Sequence, residues 1–429
     1  MATAAPEQSA LEEAAQAMRQ RGVGGAARTL AEFTWQRLRA GELGALPVVV
    51  GLIVIWTYFQ VQEPAFLSGR NLSNLVLQIS VTGTIAIGIV LVLLLGEIDL
   101  SVGAVSILCS AILATLVVNE GWPWWAGIIV MLLVGAAIGA FHGAWFAVIG
   151  VPSFVVTLAG LLGWQGVQQQ VLGFEGTINV LPDAYPQIGD IANSFLPHYW
   201  GWILAIAASA LYAFTHLQEQ ARRRRAGLPA QPVVFVVAKT AVIAAIALLS
   251  VALLNGEFKN VWVFGDYDRG VPTAGVILLG LVVFFSWLTR RTKFGRYIYA
   301  VGGSAEAARR AGIDVAHIRI YVFTLAATLA AIGGLIQTSR IAAASKAIDP
   351  GPVTLEAIAA AVIGGTSLFG GRGTVWAALL GALVIGSVSN GLDLIGQQPQ
   401  VKLMVTGAIL LLAVTIDAIS RRGRAAAGR

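Results

Sequence analysis

The chain has 429 residues, of which 57% are hydrophobic and only 12% are charged. A typical soluble domain carries about 25% charged residues, so this composition excludes an ordinary soluble protein and indicates a polytopic helical membrane protein. The net charge of +6 is concentrated in short basic clusters between apolar segments, a pattern typical of membrane topology. We therefore expect a lipid bilayer around the chain and no nucleic-acid partner.

The N-terminal segment, residues 1–43, precedes the first apolar segment and is polar with several arginines. A cleavable signal peptide has a short basic start followed at once by an apolar core, so this segment predicts an N-terminal cytoplasmic extension instead. Within it, residues 31–38 fit either an amphipathic surface helix or a disordered tail.

Twelve apolar segments follow, and many approach the roughly 20 residues that a helix needs to cross a bilayer. They are 45–60, 75–95, 102–118, 124–149, 153–172, 200–216, 233–254, 272–289, 318–337, 354–369, 374–392 and 400–418. Because some are short or broken by glycine, the sequence predicts an all-α transmembrane bundle of about 10–12 spans over residues 44–419. A basic cytoplasmic tail, residues 420–429, completes the predicted organisation.

The basic clusters predict the orientation in the membrane. They lie in the N-terminal extension, at 222–225, at 290–319 and in the C-terminal tail. With twelve spans all four clusters fall on one side, so the positive-inside rule places both termini in the cytoplasm. The loop 173–199 contains no Lys or Arg and falls on the opposite side, as this topology requires.

A short polar helix is predicted at residues 304–312, between two long apolar runs. Ser304 is a suitable N-cap, Glu306 stands in the first turn ahead of Arg309 and Arg310, and Gly312 is a natural stop. About two turns of helix are not stable alone in water, so the pattern favours a docking element held by a partner. The alternative is a solvated loop between spans.

The first polar break in the apolar sequence is 96–101, with Glu97, Asp99 and Ser101 between two apolar runs. Two acids at bilayer depth are costly unless they are paired or face water. We predict that Gly96 ends one helix and that Asp99 or Ser101 caps the next. The break either lines a substrate pathway or forms a cytoplasmic turn.

A second break, 364–373, is rich in glycine and contains Thr366 and Ser367. Segments 89–117 and 358–386 share the order apolar run, polar break and small-residue helix, which indicates a weak internal repeat. Asn390 and Asp393 end the following span and face either the pathway or the membrane interface.

Small residues predict close helix contacts elsewhere. Gly135, Gly139 and Gly143 form a GxxxGxxxG stripe that allows two helices to approach closely. His142 in the same turn is expected to be a hydrogen-bonded interface residue, and the single cysteine, Cys109, a small buried packing residue.

Catalytic and metal-binding patterns do not occur in the sequence, so we expect neither an enzyme nor a metal site. There is no GxxxxGK[ST] phosphate loop, and the pair Gly302–Gly303 predicts a turn instead. If ATP drives the protein, ATP and Mg²⁺ bind to another subunit and this chain holds no cofactor.

Four segments in order carry a specific resemblance: GEIDLSVG at 96–103, VPSFVVTLAG at 151–160, FGRYIYAVGGSAEAARRAGID at 294–314 and IAAAVIGGTSLFGG at 358–371. They resemble the permease subunits of bacterial sugar ABC importers, in the ribose, xylose and branched-chain amino acid permease family. The resemblance extends over roughly residues 45–420 and is greatest to the xylose branch of that family.

The resemblance implies a permease in the bacterial inner membrane that moves a monosaccharide, with D-xylose the expected sugar, by alternating access. It implies three protein partners: a second permease copy, a periplasmic sugar-binding protein and a cytoplasmic ABC ATPase. Glu306, Ala307, Ala308 and Gly312 match the family's EAAxxxG coupling pattern, which assigns them and the neighbouring Arg309 and Arg310 to ATPase coupling.

The polar breaks leave other function classes open. Glu97, Asp99, Ser101, Thr366, Ser367 and Asn390 are candidate substrate-pathway residues. An ion-coupled secondary sugar transporter is the main alternative, because Glu97 or Asp99 could serve as its coupling acid. A channel would leave residues 304–312 unexplained.

Overall fold

The computed structural model of the protein describes residues 46–227, 233–256 and 270–426. Its helices are α1 (Leu46–Gln62), α2 (Gly69–Leu94), α3 (Val102–Ala114), α4 (Trp124–Ala144), α5 (Ser153–Val171), α6 (Pro186–Asn193), α7 (His198–Arg225), α8 (Val233–Leu254), α9 (Thr273–Arg291), α10 (Lys293–Gly303), α11 (Ala305–Arg310), α12 (Val315–Ile341), α13 (Pro350–Ile363), α14 (Trp376–Leu394) and α15 (Pro399–Ala426). Short helical turns at Pro64–Leu67, Thr115–Asn119 and Trp145–Ile149 adjoin α1, α3 and α4.

The prediction of an all-α polytopic bundle is confirmed. Each of the twelve predicted segments overlaps a helix, although 354–369 extends past the end of α13 at Ile363. Eight helices in the described ranges are long and apolar enough to cross a membrane. Three shorter apolar helices, at Pro47–Gln62, Pro350–Ile363 and Pro399–Thr415, add to these. The predicted number of crossings is reached only if the shorter helices also cross.

Helix α2 forms the centre of the bundle. From Ile85 to Leu94 every side chain is buried, because α3, α9, α12, α13 and α14 pack around it. A helix that is apolar on all sides is stable only when protein or lipid covers all of it, and here other helices provide the cover. Both polar breaks contact the end of this helix, which is the most buried of the long apolar helices that the structure describes.

The glycine stripe of α4 packs against α12, which confirms the predicted close approach. A methyl group added at Gly139 would lie 2.7 Å from Cα of Thr324 and would overlap the carbonyl oxygen of Phe323. Gly135 and Gly143 face Ala331 and Ile320 in the same way. Cys109 of α3 is fully buried and contacts Met131 of α4, as predicted.

Helix α12 defines the two ends of the bundle. It begins at Val315 beside α11 and ends at Ile341, just before β2 (Ala343–Ser345). At 1.5 Å per residue its 27 residues extend about 40 Å. β2 pairs with β1 (Thr177–Asn179) in antiparallel register, with Ile178 opposite Ala344, so the loop 173–199 lies at the end away from α11.

The predicted N-terminal extension, 1–43, lies outside the described residues, and so does the choice between an amphipathic helix and a disordered tail at 31–38. The predicted tail begins inside α15, whose backbone continues as a helix to Ala426. Residues 427–429 are outside the described ranges.

Candidate coupling site and polar breaks

The short helix α11 has the local structure that its sequence predicts. The Ser304 side chain accepts a hydrogen bond from the backbone N–H of Ala307 at 3.2 Å, so it caps the helix N-terminus. Gly312 has φ +81°, the left-handed conformation that ends helices, and its N–H bonds the carbonyl of Arg309. Glu306 and Arg310 form the predicted ion pair one turn apart.

One side of α11 is anchored and the other is open. Ala308 is buried and packs in the hydrophobic core, whereas Glu306, Ala307, Arg309 and Arg310 are exposed. The outer surface of α11 therefore carries residues of both charges, while Ala308 attaches its inner side to the bundle. Such a surface is suited to a polar protein partner.

An unpredicted helix, α10, positions α11. Its side chains at Ile298 and Val301 are buried, and Thr292 caps its N-terminus by accepting the N–H of Gly295 at 3.1 Å. The spacing of Phe294, Ile298 and Val301 marks one face of an amphipathic helix, a signal present in the sequence. The pair Gly302–Gly303, predicted as a turn, instead forms the end of this helix because α10 continues directly to the cap of α11.

The C-terminal end of α10 contacts both polar breaks. Gly302 packs against the carbonyl oxygen of Leu94 so closely that an added methyl group would overlap it. That carbonyl accepts the N–H of Gly371 at 2.9 Å, and the Tyr299 hydroxyl donates to the carbonyl of Gly373 at 2.9 Å. The segment before α11 is thus joined to the end of α2 and to the loop after α13.

The break at 96–101 is present, with Gly96 at φ +79° just after the end of α2. The predicted cap differs: Ser101 occupies the N-cap position of α3, but its side chain makes no capping hydrogen bond. Its hydroxyl lies 2.6 Å from Oδ1 of Asp99, which also accepts the Ser101 N–H at 2.8 Å. The backbone of Ser101 has φ −89° and ψ −13°, a helical conformation rather than the extended one typical of capping residues, so its hydroxyl is not directed at the first N–H groups of α3.

His142 joins this break to α4 and α5. The Trp164 indole can only donate, and its Nε1 lies 2.9 Å from Nε2 of His142, so this nitrogen is an acceptor. In the neutral ring the proton is then on Nδ1, which donates to the Ser101 hydroxyl at 3.2 Å. The hydroxyl in turn donates to Asp99, and the prediction that His142 is a hydrogen-bonded interface residue is confirmed.

Glu97 joins the same break to α5 and α12. It accepts a hydrogen bond from the Ser153 hydroxyl at 2.8 Å and pairs with Arg319 at 3.1 Å. Arg319 also lies over the Phe146 ring, 4.4 Å from its centroid. Burial raises the pKa of the Glu97 carboxyl, while the Ser153 hydrogen bond and the Arg319 charge oppose that shift.

Replacing Glu97 with Gln is expected to lower the stability of the protein by roughly 1–3 kcal/mol, because it leaves the Arg319 charge enclosed without a counter-charge. The two side chains are only 17% and 22% exposed, so water compensates poorly. Thermal unfolding of the purified protein in detergent measures the change. Glu219→Gln, which breaks the more exposed Glu219–Arg223 pair, is the control and should shift unfolding little. Equal shifts in both variants would contradict the structural role of Glu97.

The six predicted pathway residues lie in three places. Glu97, Asp99 and Ser101 share the first break, and Thr366 and Ser367 lie in the adjacent second break. Asn390 is at the other end of α2, where its Oδ1 accepts from Asn71 at 2.7 Å. The structure therefore joins the two breaks and leaves Asn390 apart.

Two charged residues inside helices were missed from the sequence, Arg340 near the end of α12 and Glu356 in α13. A charged residue within an otherwise apolar segment was the available signal. Both are half-buried, and each is within electrostatic reach of the other.

Comparison with known proteins identifies the class. A family model described as "Branched-chain amino acid transport system / permease component" matches residues 71–414. Because this match covers most of the chain, the protein belongs to this permease family. It is a multi-pass membrane protein and a transport subunit rather than an enzyme.

The most informative relatives are sugar permeases, which confirms the resemblance carried by the four sequence motifs. The xylose transport system permease protein XylH of Escherichia coli K12 is 39% identical over 386 residues, 90% of this chain and 94% of that protein. XylH of Haemophilus influenzae Rd is 35% identical, covering 90% and 99%. The ribose import permease protein RbsC of Escherichia coli K12 is 31% identical, covering 86% and 92%. No solved structure is significantly similar to the chain.

Proposed function

We propose that this protein is the permease subunit of an ATP-driven importer that moves a monosaccharide, D-xylose, from a periplasmic binding protein to the cytoplasm. The greater identity to xylose permeases than to ribose permeases supports the sugar. The main support for an ATP-driven importer is α11, a capped helix that Ala308 attaches to the bundle and whose outer surface is charged. A secondary transporter needs no such external docking helix.

We assign a different protein partner to each end of the bundle. A cytoplasmic ABC ATPase, which carries ATP and Mg²⁺, docks on the exposed residues of α11 and its end: Glu306, Ala307, Arg309, Arg310 and Gly312. The buried Ala308 holds the helix against the bundle. The periplasmic sugar-binding protein docks at the end that carries the β1–β2 pair. This chain binds no cofactor of its own, and a second copy of it completes the pore.

The orientation belongs to the same proposal. With α11 facing an ATPase, the basic clusters at 222–225 and 290–319 are cytoplasmic, as are both termini. The chain then lies in the bacterial inner membrane with the β1–β2 end toward the periplasm.

Alternating access is driven through the contacts at the end of α10. A displacement of α11 acts on Gly302, and through it on Leu94 and Gly371, because these groups are in direct contact. From the first break the displacement reaches α5 through Ser153 and α4 through His142. A rigid polar network transmits movement better than loose side chains, since its members move together.

The predicted substrate-pathway residues remain part of this proposal. Asp99, Ser101, Thr366 and Asn390 are buried in the present conformation, so the sugar reaches them only after the two breaks separate. The Thr366 hydroxyl is fully enclosed and has no hydrogen-bond partner among the described residues. A buried hydroxyl without a partner is available for a substrate hydroxyl when the site opens.

The experiment that tests this function is gentle affinity purification of the protein from its host membrane, followed by mass spectrometry. We expect an ABC ATPase and a periplasmic sugar-binding protein to co-purify, and the isolated binding protein to bind D-xylose. A protein that moves sugar without any ATPase, and stops when the ion gradient is collapsed, would overturn the proposal. A binding protein selective for another sugar would correct the substrate alone.

A further inference from the structure

Four charged side chains from four consecutive long helices meet on the side of the bundle away from α11. They are Arg340 of α12, Glu356 of α13, Asp393 of α14 and Lys402 of α15. Lys402 and Asp393 form an ion pair. Arg340 is within electrostatic reach of Glu356 and Asp393, and Glu356 is within reach of Arg340 and Lys402. The charges of the group sum to zero.

Arg340 and Glu356 differ from the other two in having no direct partner. Within the part of the chain that the structure describes, neither side chain makes a hydrogen bond or an ion pair. Both are nevertheless half-buried in helices of an apolar bundle. An enclosed charge without a partner is costly unless water reaches it.

Neither charge is sealed off completely. Neither side chain is among the fully enclosed polar atoms that lack a partner, so the charged atoms of both keep some accessible surface. The Thr354 hydroxyl, in the first half of α13, accepts the N–H of Gly103 at 3.0 Å, so this helix also touches the segment that follows the first break. The helix that carries Glu356 is therefore connected to the parts that move in the proposed mechanism.

We propose that Arg340 and Glu356, two enclosed charges without partners, bind the hydroxyl groups of the transported sugar, an inference that rests on the proposed function. The guanidinium only donates hydrogen bonds and the carboxylate only accepts them. A sugar hydroxyl does both, so neighbouring hydroxyls satisfy the two side chains at once. Because the pair is neutral overall, it suits an uncharged polyol and needs no coupling ion.

A structural ion pair across α12 and α13 is the competing explanation, and a charge swap separates the two. In proteoliposomes with the ATPase and sugar-loaded binding protein, Arg340→Gln and Glu356→Gln should each lower sugar moved per ATP hydrolysed by about tenfold, since a hydrogen bond to a charged group changes an equilibrium by roughly that factor or more. Stimulation of the ATPase by the binding protein should persist. The double variant Arg340→Glu, Glu356→Arg should remain defective, whereas it would recover if the pair were structural.

The matched control is Glu219→Gln, which removes an exposed charge outside both proposed docking sites and should leave the ratio unchanged. If the Gln variants do not fold, Arg340→Cys and Glu356→Cys test water access directly. A membrane-impermeant thiol reagent should modify both introduced cysteines, and the native Cys109 should give no background because it is buried. Unchanged sugar per ATP, or no labelling, would overturn this inference, whereas a parent protein without stimulated ATPase would overturn the proposed function itself.

Discussion

The Glu306→Arg variant is expected to lose its ATPase on purification and to show only background ATP-driven uptake, while it still inserts and folds. Glu306 stands on the exposed side of α11, and its ion pair with Arg310 is exposed as well, so folding depends on it little. A charge reversal on a docking surface instead places like charges against the partner, which is strongly unfavourable. Uptake into vesicles and co-purification of the ATPase measure the effect.

The matched control for this variant is Glu219→Arg. Glu219 pairs with Arg223 one turn later at 3.0 Å, the same arrangement near the C-terminal end of α7, and lies in a segment also predicted to be cytoplasmic. It should retain uptake and ATPase binding.

Gly312→Pro should also lose ATPase binding and uptake, because proline holds φ at about −65° and Gly312 has φ +81°. Normal uptake in both α11 variants would refute the coupling role.

The second large effect is expected from Gly302→Ala, which should keep the ATPase bound but lose most ATP-driven uptake. The added methyl group would overlap the Leu94 carbonyl and lie 2.7 Å from the Gly371 nitrogen, and both are backbone atoms that cannot rotate away. Overpacking of this kind typically costs about 1–3 kcal/mol and here separates α10 from the two breaks. The measurement is uptake together with ATPase co-purification and thermal unfolding.

Its control is the adjacent glycine. A methyl group at Gly303 would meet nothing within 4 Å, so Gly303→Ala should behave as the parent protein does. If Gly302→Ala transports normally with unfolding unchanged, the Gly302–Leu94 contact does not carry the movement. If both variants fail equally, the effect belongs to helix propensity rather than to this contact.

The details that the sequence predicts correctly are local ones. Ser304, Glu306 and Gly312 determine α11 because a cap, a first-turn acid and a left-handed stop act within two turns of chain. The same holds for the glycine stripe of α4, whose spacing alone permits a close helix contact. The amphipathic spacing of α10 is local as well, so this helix could also have been predicted from the sequence.

The remaining details depend on contacts between distant residues. Ser101 is a suitable cap by type, yet Asp99 takes its hydroxyl and His142, 41 residues away, contacts it as well. That the Leu94 carbonyl meets Gly371 and Gly302 follows only from how three segments pack. Arg340 and Glu356 lie on different helices, and no sequence spacing indicates that their charges interact.

The length of α12 has a mechanical consequence. One end lies beside α11 and the other carries Arg340, so the helix is a rod that joins the proposed docking helix to the proposed sugar contacts. Over its extent of about 40 Å, a tilt of only about 5° displaces the far end by roughly 3.5 Å. A shift of that size exceeds the reach of a hydrogen bond, so in the importer that we propose, a small rotation beside α11 suffices to bind or release a sugar at Arg340.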